Sequence, residues 1–196
     1  VVVAAYGKIL PNAALEIPGF GCLNVHVSLL PKYRGPSPVQ TALLNGETKT
    51  GTSIFILDAE VDHGPILATQ ELEINPDDTN ITLQQKLALM SGDLLIETLP
   101  KYESGEIKPL EQDHSAATRA NMISKEDGLI DWSKSAQQIY NQFRAYQPWP
   151  GIYTNWEDKK LKILDCKLSA DRQNIEIISL QLEGKNPVSY KDFVNG

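Results

Sequence analysis

The chain has 196 residues, of which 41% are hydrophobic and 22% charged, a composition typical of a globular chain with one or two domains. It lacks an apolar run of the roughly 18 residues that a membrane span needs, and its two distant cysteines exclude a disulfide framework and a zinc site. A soluble protein of a reducing compartment is expected, and the net charge of −7 argues against a nucleic-acid surface over the whole chain.

Strands are predicted to alternate with helices in the first half of the chain. Residues 1–5 form a β-branched apolar run typical of a strand buried on both faces of a parallel sheet, and residues 21–27 are predicted as the next strand. Ser37 and Pro38 supply an N-cap and a first-turn proline, and Gly46 supplies a C-terminal stop. A short helix is predicted between them.

A further strand and a long helix follow. Residues 50–57 alternate in the manner of a strand. From about residue 79 or 82 toward Pro100, apolar residues recur at helical spacing, namely Leu83, Leu87, Met90, Leu94 and Leu95. Strands that alternate with helices indicate an α/β sheet.

The second half of the chain begins with a polar segment. Periodicity fades between about residues 105 and 135, which suits an interdomain linker. Ser135 is predicted to cap a helix whose apolar face carries Ala136, Ile139, Tyr140 and Phe143. Residues 152–156 and 161–168 are predicted to form a hairpin of a small β domain.

Charge is distributed unevenly between these two parts. Residues 1–124 hold 8 Lys and Arg against 15 Asp and Glu, whereas residues 125–196 hold 10 of each kind. Because nucleic-acid binding depends on neutralising phosphates, the balanced second part permits RNA contact without demonstrating it.

The most informative motif lies at the end of the second predicted strand. Asn24 and His26 stand two residues apart, so their side chains point to the same side of an extended segment and can act together. The run Ser-Leu-Leu-Pro-Lys-Tyr-Arg-Gly follows at residues 28–35, and an acidic loop with Asp62 follows at residues 57–65.

These stretches resemble the formyl-tetrahydrofolate formyltransferases, which pair Asn and His on a strand end with an Asp from a later loop. Residues 124–132, 144–151 and 180–187 resemble the linker and C-terminal domain of the methionyl-tRNA formyltransferases within that family. The similarity extends over nearly the whole chain, which we expect to be a fragment lacking the family's N-terminal part.

The resemblance implies a catalytic group of Asn24, His26 and Asp62. Formyl transfer builds a tetrahedral intermediate whose oxygen gains negative charge, and the Asn24 amide can donate to that oxygen. His26 can take the proton of the attacking amine, and Asp62 can orient the imidazole and favour its charged form. Taken singly, an Asn or Asp in a turn and a structural His are the commoner interpretations; the motif around them favours catalysis.

The resemblance also implies a site for 10-formyltetrahydrofolate as the formyl donor, with no metal. The cofactor-binding residues are expected in three segments: Tyr6, Gly7, Lys8, Ile9 and Leu10; Ser28, Leu29, Leu30 and Pro31; Leu57, Asp58 and Ala59. Gly7 allows close backbone approach and the leucines supply apolar faces, although any one of these apolar residues could equally be core.

The fold implied is a partial Rossmann-like formyltransferase sheet followed by a small, shortened β-barrel of OB type. The expected domains are the C-terminal part of the catalytic domain at 1–104, a linker at 105–134 and a β-rich domain at 135–196. The segment after Ala170 is short for the family's usual C-terminal barrel.

The expected function is formyl transfer to the amino group of initiator methionyl-tRNA during translation initiation, in the cytoplasm of a bacterium or in an organelle. The expected partners are that tRNA and folate, without a membrane, and the protein is expected to be a monomer. An amino-sugar-nucleotide formyltransferase, a formyl-folate hydrolase and a non-catalytic folate- or RNA-binding fragment are the alternatives. His63 is expected to have a structural or surface role.

Overall fold

A computed structural model describes residues 1–195 of the chain. These residues form two compact units. The first comprises Val1–Ala42, Glu47–Pro76 and Thr82–Met122. The second comprises two short segments, Leu43–Gly46 and Asp77–Ile81, and the chain from Ile123 onward.

The first unit is built on a four-stranded sheet with the order β1-β2-β3-β4. Strands β1 and β2 are parallel, whereas β2, β3 and β4 pair antiparallel in sequence order. The strands are Val2–Val3, Leu23–His26, Lys49–Ile56 and Ile66–Glu73, and the helices that begin or end in this unit are α1 (Asn12–Leu15), α2 (Pro38–Leu44) and α3 (Asn80–Glu103).

Most of the predicted elements of this unit are confirmed. Helix α2 begins at Pro38, and Gly46 beyond its end has a φ of +67°, the left-handed conformation that favours glycine. One expectation is wrong. The first strand is only two residues long and Val2 is 42% exposed, so residues 1–5 are not a buried strand. The predicted long helix is confirmed as α3, which ends at Glu103 with Pro100 in its last turn.

The core of the first unit joins the sheet to α3. Leu23, Ile54 and Leu67 are buried together, and the partly buried Leu94 and Leu95 of α3 pack against them. A buried hydrogen bond of 2.8 Å between the hydroxyls of Thr52 and Ser91 also connects β3 to α3. This packing fixes β2 and β3, the strands from which the candidate site is built.

The polar segment after α3 is attached to the same sheet. Leu110 and Ile66 exchange two backbone hydrogen bonds of 2.8 Å. Arg34 and Arg119 form a parallel bridge, in which the Arg34 N–H donates to Thr118 O and the Ala120 N–H donates to Arg34 O. Residues 110–120 therefore lie along the loops of the first unit, while the domain boundaries at 104 and 134 stay predictions.

The second unit contains an antiparallel sheet with the order β5-β6-β7-β8, flanked by two helices. Among residues 1–195 this sheet is open, so the expected barrel is not closed; an OB-type barrel has five strands, and β8 here has only two residues. The predicted hairpin is confirmed. The elements are α4 (Ala136–Ala145), β5 (Ile152–Trp156), β6 (Lys159–Leu168), β7 (Ile175–Leu182), β8 (Val188–Ser189) and α5 (Tyr190–Asn195).

Helix α4 carries the buried cation of the second unit. The Arg144 guanidinium donates to the carbonyl of Asp78 at 3.1 Å and to Asn141 Oδ1 at 2.7 Å, and desolvation by burial lowers its pKa.

No helix among residues 1–195 combines the length and apolarity needed to cross a bilayer.

The start of α4 yields a stability prediction. Ser135 caps the helix, as the sequence predicts, and it forms a reciprocal capping box with Gln138. Ser135→Ala should lower the free energy of unfolding by about 1 kcal/mol, because the hydroxyl that accepts the Gln138 N–H is removed. Ser135→Asp, which keeps an acceptor, should retain the stability of the parent. Urea unfolding of the three proteins measures this difference, and equal values for the Ala and Asp variants would contradict it.

Candidate active site

His26 ends strand β2 and is only 6% exposed. Strand alternation places Asn24 on the same face two residues earlier. The imidazole lies edge-on to Phe55 of β3, with ring centroids 6.4 Å apart and an interplanar angle of 90°. The ring therefore packs against a side chain of the neighbouring strand.

Two oxygen atoms face the two ring nitrogens of His26. Nε2 lies 2.9 Å from the backbone carbonyl oxygen of Tyr33. A carbonyl can only accept, so Nε2 carries a proton and donates it. Nδ1 lies 3.6 Å from Asp62 Oδ2, beyond hydrogen-bond distance but within reach of an ion pair. In the neutral ring the lone pair is consequently at Nδ1, the nitrogen beside the carboxylate.

The loop that supplies the Tyr33 carbonyl is fixed by hydrogen bonds. Ser28 Oγ donates to Lys32 O at 2.7 Å, and Ser53 Oγ donates to Ser28 O at 2.8 Å. Tyr33 has a φ of +61°, and its N–H donates to Thr118 Oγ1 at 2.9 Å. A tyrosine in the left-handed region is strained, so these contacts hold the Tyr33 carbonyl toward His26.

Asp62 reaches His26 from the other end of the strand. Because β3 runs antiparallel to β2, the loop after β3 leaves the sheet beside Leu23, whereas the loop after β2 leaves it beyond His26. The two loops meet over the imidazole, where Asp62 Oδ2 accepts the Gly35 N–H at 2.7 Å. The rule that ligands bind beyond the carboxyl ends of parallel strands therefore does not explain the position of Asp62. Its position depends instead on the loop after β3, which folds back toward His26.

Asn24 is half-buried, and its amide makes no hydrogen bond to another residue in the range 1–195 that the structure describes. An amide at a strand end with free donors can bind an oxygen of a ligand. Together with His26 and Asp62, it gives the site one neutral donor, one proton acceptor and one carboxylate.

The three segments expected to bind the cofactor differ in exposure. Residues 6–10 follow β1, which is parallel to β2, so they lie at the same sheet edge as the loop after His26; Ile9 is 80% exposed. Ser28 and Leu30 are buried. Asp58 accepts the Glu60 N–H at 2.9 Å and binds His63 Nδ1 at 2.7 Å. The cofactor assignment of these residues stays a prediction.

His63 and His114 form a stacked pair. Their ring centroids are 4.0 Å apart and the rings are within 3° of parallel. His63 binds Asp58, and His114 Nδ1 lies 2.9 Å from an Arg34 nitrogen, from which it accepts. Among residues 1–195, no group of three or more His, Cys, Asp or Glu side chains is arranged to hold a metal ion.

Several contacts of the site could not be recognised in the sequence. The Tyr33 carbonyl, the Gly35 N–H and the side chains of Gln112 and Thr118 come from loop and linker positions. The polar segment around residues 112–118 gives no periodic signal, and a backbone carbonyl gives none at all.

Cys166 is not a competing nucleophile, since burial raises the pKa of its thiol to about 12.

The second unit has a cleft of its own, with a volume of about 410 Å³. Its lining combines cations with aromatic rings, and Lys160 Nζ lies 4.4 Å from the centroid of the Tyr153 ring. Trp149 is 51% exposed. The lining includes Lys125, Trp149, Tyr153, Lys160, Lys162 and Gln181.

The two parts of the chain match two protein families. The family described as formyl transferase matches residues 1–99, and the family described as formyl transferase, C-terminal domain, matches residues 122–175. Methionyl-tRNA formyltransferase of Chloroflexus aurantiacus is 50% identical over 175 residues, 89% of this chain and 56% of that protein. The chain thus spans about half the length of this curated relative.

Two solved structures have a similar fold. Methionyl-tRNA formyltransferase from Clostridium thermocellum has a TM-score of 0.70 at 20% identity, over 92% of this chain and 77% of that one. An N-formyltransferase from Helicobacter canadensis, solved with folinic acid and dTDP-3-aminofucose, has a TM-score of 0.65 at 23% identity, over 75% of this chain and 54% of that one.

A further relative aligns with the whole chain. Methionyl-tRNA formyltransferase of Caldicellulosiruptor saccharolyticus is 43% identical over 220 positions, 100% of this chain and 70% of that protein. Because the chain has 196 residues, some of those positions have no counterpart here. The matched family covers just over half of the chain and this relative is covered over more than two thirds of its length, so the chain belongs to the formyl transferase family.

Proposed function

We propose that the protein transfers a formyl group from 10-formyltetrahydrofolate to the amino group of initiator methionyl-tRNA. The observation that carries this proposal is the His26 ring, whose Nε2 is committed to the Tyr33 carbonyl and whose Nδ1 faces Asp62. Such a ring can accept one proton at one defined atom, and the nearby carboxylate stabilises the resulting imidazolium.

In the proposed reaction, the amino nitrogen attacks the formyl carbon and forms a carbon–nitrogen bond. The carbonyl oxygen gains negative charge in the tetrahedral intermediate and accepts a hydrogen bond from the Asn24 amide. The proton released by the amine passes to His26 Nδ1. Breakage of the bond between the formyl carbon and N10 then releases tetrahydrofolate, which takes up that proton.

A folate as formyl donor is supported by the family and by the apolar segments beside the site. The Helicobacter canadensis relative of this fold was solved with folinic acid, a formylated folate. In this chain the segments 6–10 and 28–31 leave the sheet at the same end, and the loop that begins at residue 57 folds back to place Asp62 beside His26. We propose that they bind the pterin ring through backbone groups and leucine side chains.

A tRNA as acceptor is supported by the curated relatives and by the cleft of the second unit. The Chloroflexus and Caldicellulosiruptor relatives both carry the name methionyl-tRNA formyltransferase. Lys125, Lys160 and Lys162 can neutralise phosphates, and the exposed Trp149 ring can stack on an unpaired base. The Helicobacter canadensis structure makes an amino-sugar nucleotide the rival acceptor.

The decisive experiment compares acceptors. The complete protein, mixed with 10-formyltetrahydrofolate and either methionyl-tRNA or an amino-sugar nucleotide, should formylate the tRNA and not the sugar. Formylation of the sugar alone would replace the proposed acceptor, and binding of folate and tRNA without turnover would favour a non-catalytic role.

The Asn24 amide gives a second test of the chemistry. Asn24→Ala should lower the single-turnover rate by about 10²–10³, because the donor to the developing oxyanion is removed.

Asp62 offers a shape-conserving test of the imidazole chemistry. Its φ is +50°, a conformation that asparagine also tolerates, so Asp62→Asn should keep the loop while removing the charge that faces Nδ1. The single-turnover rate should fall by about 10²-fold or more, with little change in folate affinity. Glu60→Gln is the matched control, since this carboxylate lies in the same loop and is 75% exposed. A normal rate with a large drop in folate affinity would place Asp62 in the cofactor pocket instead.

The cleft yields a prediction on salt dependence. Changing Lys160 and Lys162 to Gln should weaken tRNA binding and reduce the slope of log K against log salt by about 1 for each phosphate that is no longer neutralised. Lys167→Gln is the control, because Lys167 lies on the same strand outside the cleft and pairs with Glu176 at 3.1 Å. Equal affinity and slope in all the proteins would exclude the cleft as an RNA site.

A further inference from the structure

Gln112 lies between the two loops that meet over His26. Its Nε2 donates to the carbonyl of Asp62 at 3.0 Å and to the carbonyl of Gly64 at 2.7 Å. Its Oε1 accepts from the Arg34 guanidinium, at 2.6 Å from Nη2 and 3.2 Å from Nε. The side chain is 6% exposed, so both ends of this amide are committed to protein partners.

These hydrogen bonds connect residues that adjoin, or belong to, the two groups facing the His26 ring, the Tyr33 carbonyl and the Asp62 carboxylate. Arg34 stands between Tyr33, whose carbonyl binds His26 Nε2, and Gly35, whose N–H binds the Asp62 carboxylate. Gln112 therefore connects the loop that sets the protonation of His26 to the loop that carries the carboxylate. It has no hydrogen bond to His26 or to Asn24 within residues 1–195.

The backbone on both sides of this link is left-handed. Tyr33 has a φ of +61° and Asp62 a φ of +50°. For Tyr33 this conformation is strained and persists only when surrounding contacts hold it, whereas aspartate tolerates it more readily. The Asp62 carbonyl is one of the two that Gln112 holds, so removal of the amide donors would let the Asp62 peptide rotate and move its carboxylate away from Nδ1.

We propose that Gln112 is a positioning residue for formyl transfer, which holds the Asp62 loop against the 33–35 segment through Arg34. This inference rests on the proposed function, because its effect on rate requires that His26 and Asp62 perform the transfer. A purely structural glutamine would affect stability and leave the alignment of the site unchanged, and the two roles can be separated by experiment.

The test variant is Gln112→Glu in the complete protein. A glutamate can still accept from Arg34 but cannot donate to the two carbonyls, so it releases the Asp62 loop selectively. We expect kcat to fall about tenfold to hundredfold with the KM for the formyl donor unchanged, as for a misplaced catalytic group. The Gly35 amide hydrogen should also exchange faster, because its bond to Asp62 is weakened. Gln85→Glu, on the exposed surface of α3, is the control.

The outcomes separate this inference from the proposed function. A folded Gln112→Glu protein with parental kcat and parental protection of the Gly35 amide would overturn it, and so would a drop in kcat that only follows a drop in melting temperature. Where that variant does not fold, Arg34→Lys is used instead, because it disrupts the two hydrogen bonds that the Arg34 guanidinium donates to Gln112 Oε1. It is judged by the same two measurements. If the parent transfers no formyl group to any acceptor, the proposed function fails, while the exchange of the Gly35 amide still tests the link between the loops.

Discussion

The hydrogen bond from His26 Nε2 to the Tyr33 carbonyl is the interaction on which the candidate site depends. An imidazole without such a partner can exchange its proton between two nitrogens, and either could then face a substrate. Here the carbonyl fixes the proton at Nε2, which leaves Nδ1 as the basic atom. The role of Asp62 depends on this assignment. A carboxylate accepts a hydrogen bond from a protonated ring nitrogen, whereas a nitrogen that carries a lone pair offers it no proton.

The site is made by long loops rather than by the sheet alone. Strand β2 supplies Asn24 and His26, but the oxygen atoms that face the imidazole come from loops that leave the sheet at opposite ends. Two of the loop residues, Tyr33 and Asp62, have left-handed backbones, and that of Tyr33 is one that other contacts must hold. The polar segment 110–120, by its backbone pairing with Ile66 and Arg34, is part of that support.

Local signals in the sequence predicted local structure well. The cap at Ser135, the stop at Gly46 and the shared face of Asn24 and His26 all depend on a few neighbouring residues, and the structure confirms them. Features that depend on distant partners were not predictable. The antiparallel direction of β3 and the partners of Gln112 are set by contacts across more than twenty residues, and the shortness of β8 leaves open a sheet that was expected to close. The resemblance to formyltransferases named His26 and Asp62, but only the structure shows which of the imidazole nitrogens faces the carboxylate.

The contact at Tyr33 has a consequence for how such sites are mapped. Its acceptor is a main-chain oxygen, which every amino acid at position 33 would still possess. An alanine scan through the loop would therefore report the Tyr33 side chain and its 2.5 Å hydrogen bond to Glu47, while passing over the group that orients the imidazole. Replacing the amide between residues 33 and 34 with an ester would remove the Arg34 N–H and weaken the Tyr33 carbonyl as an acceptor without altering a side chain. Backbone chemistry of that kind, rather than side-chain mutagenesis, can reveal what this position does.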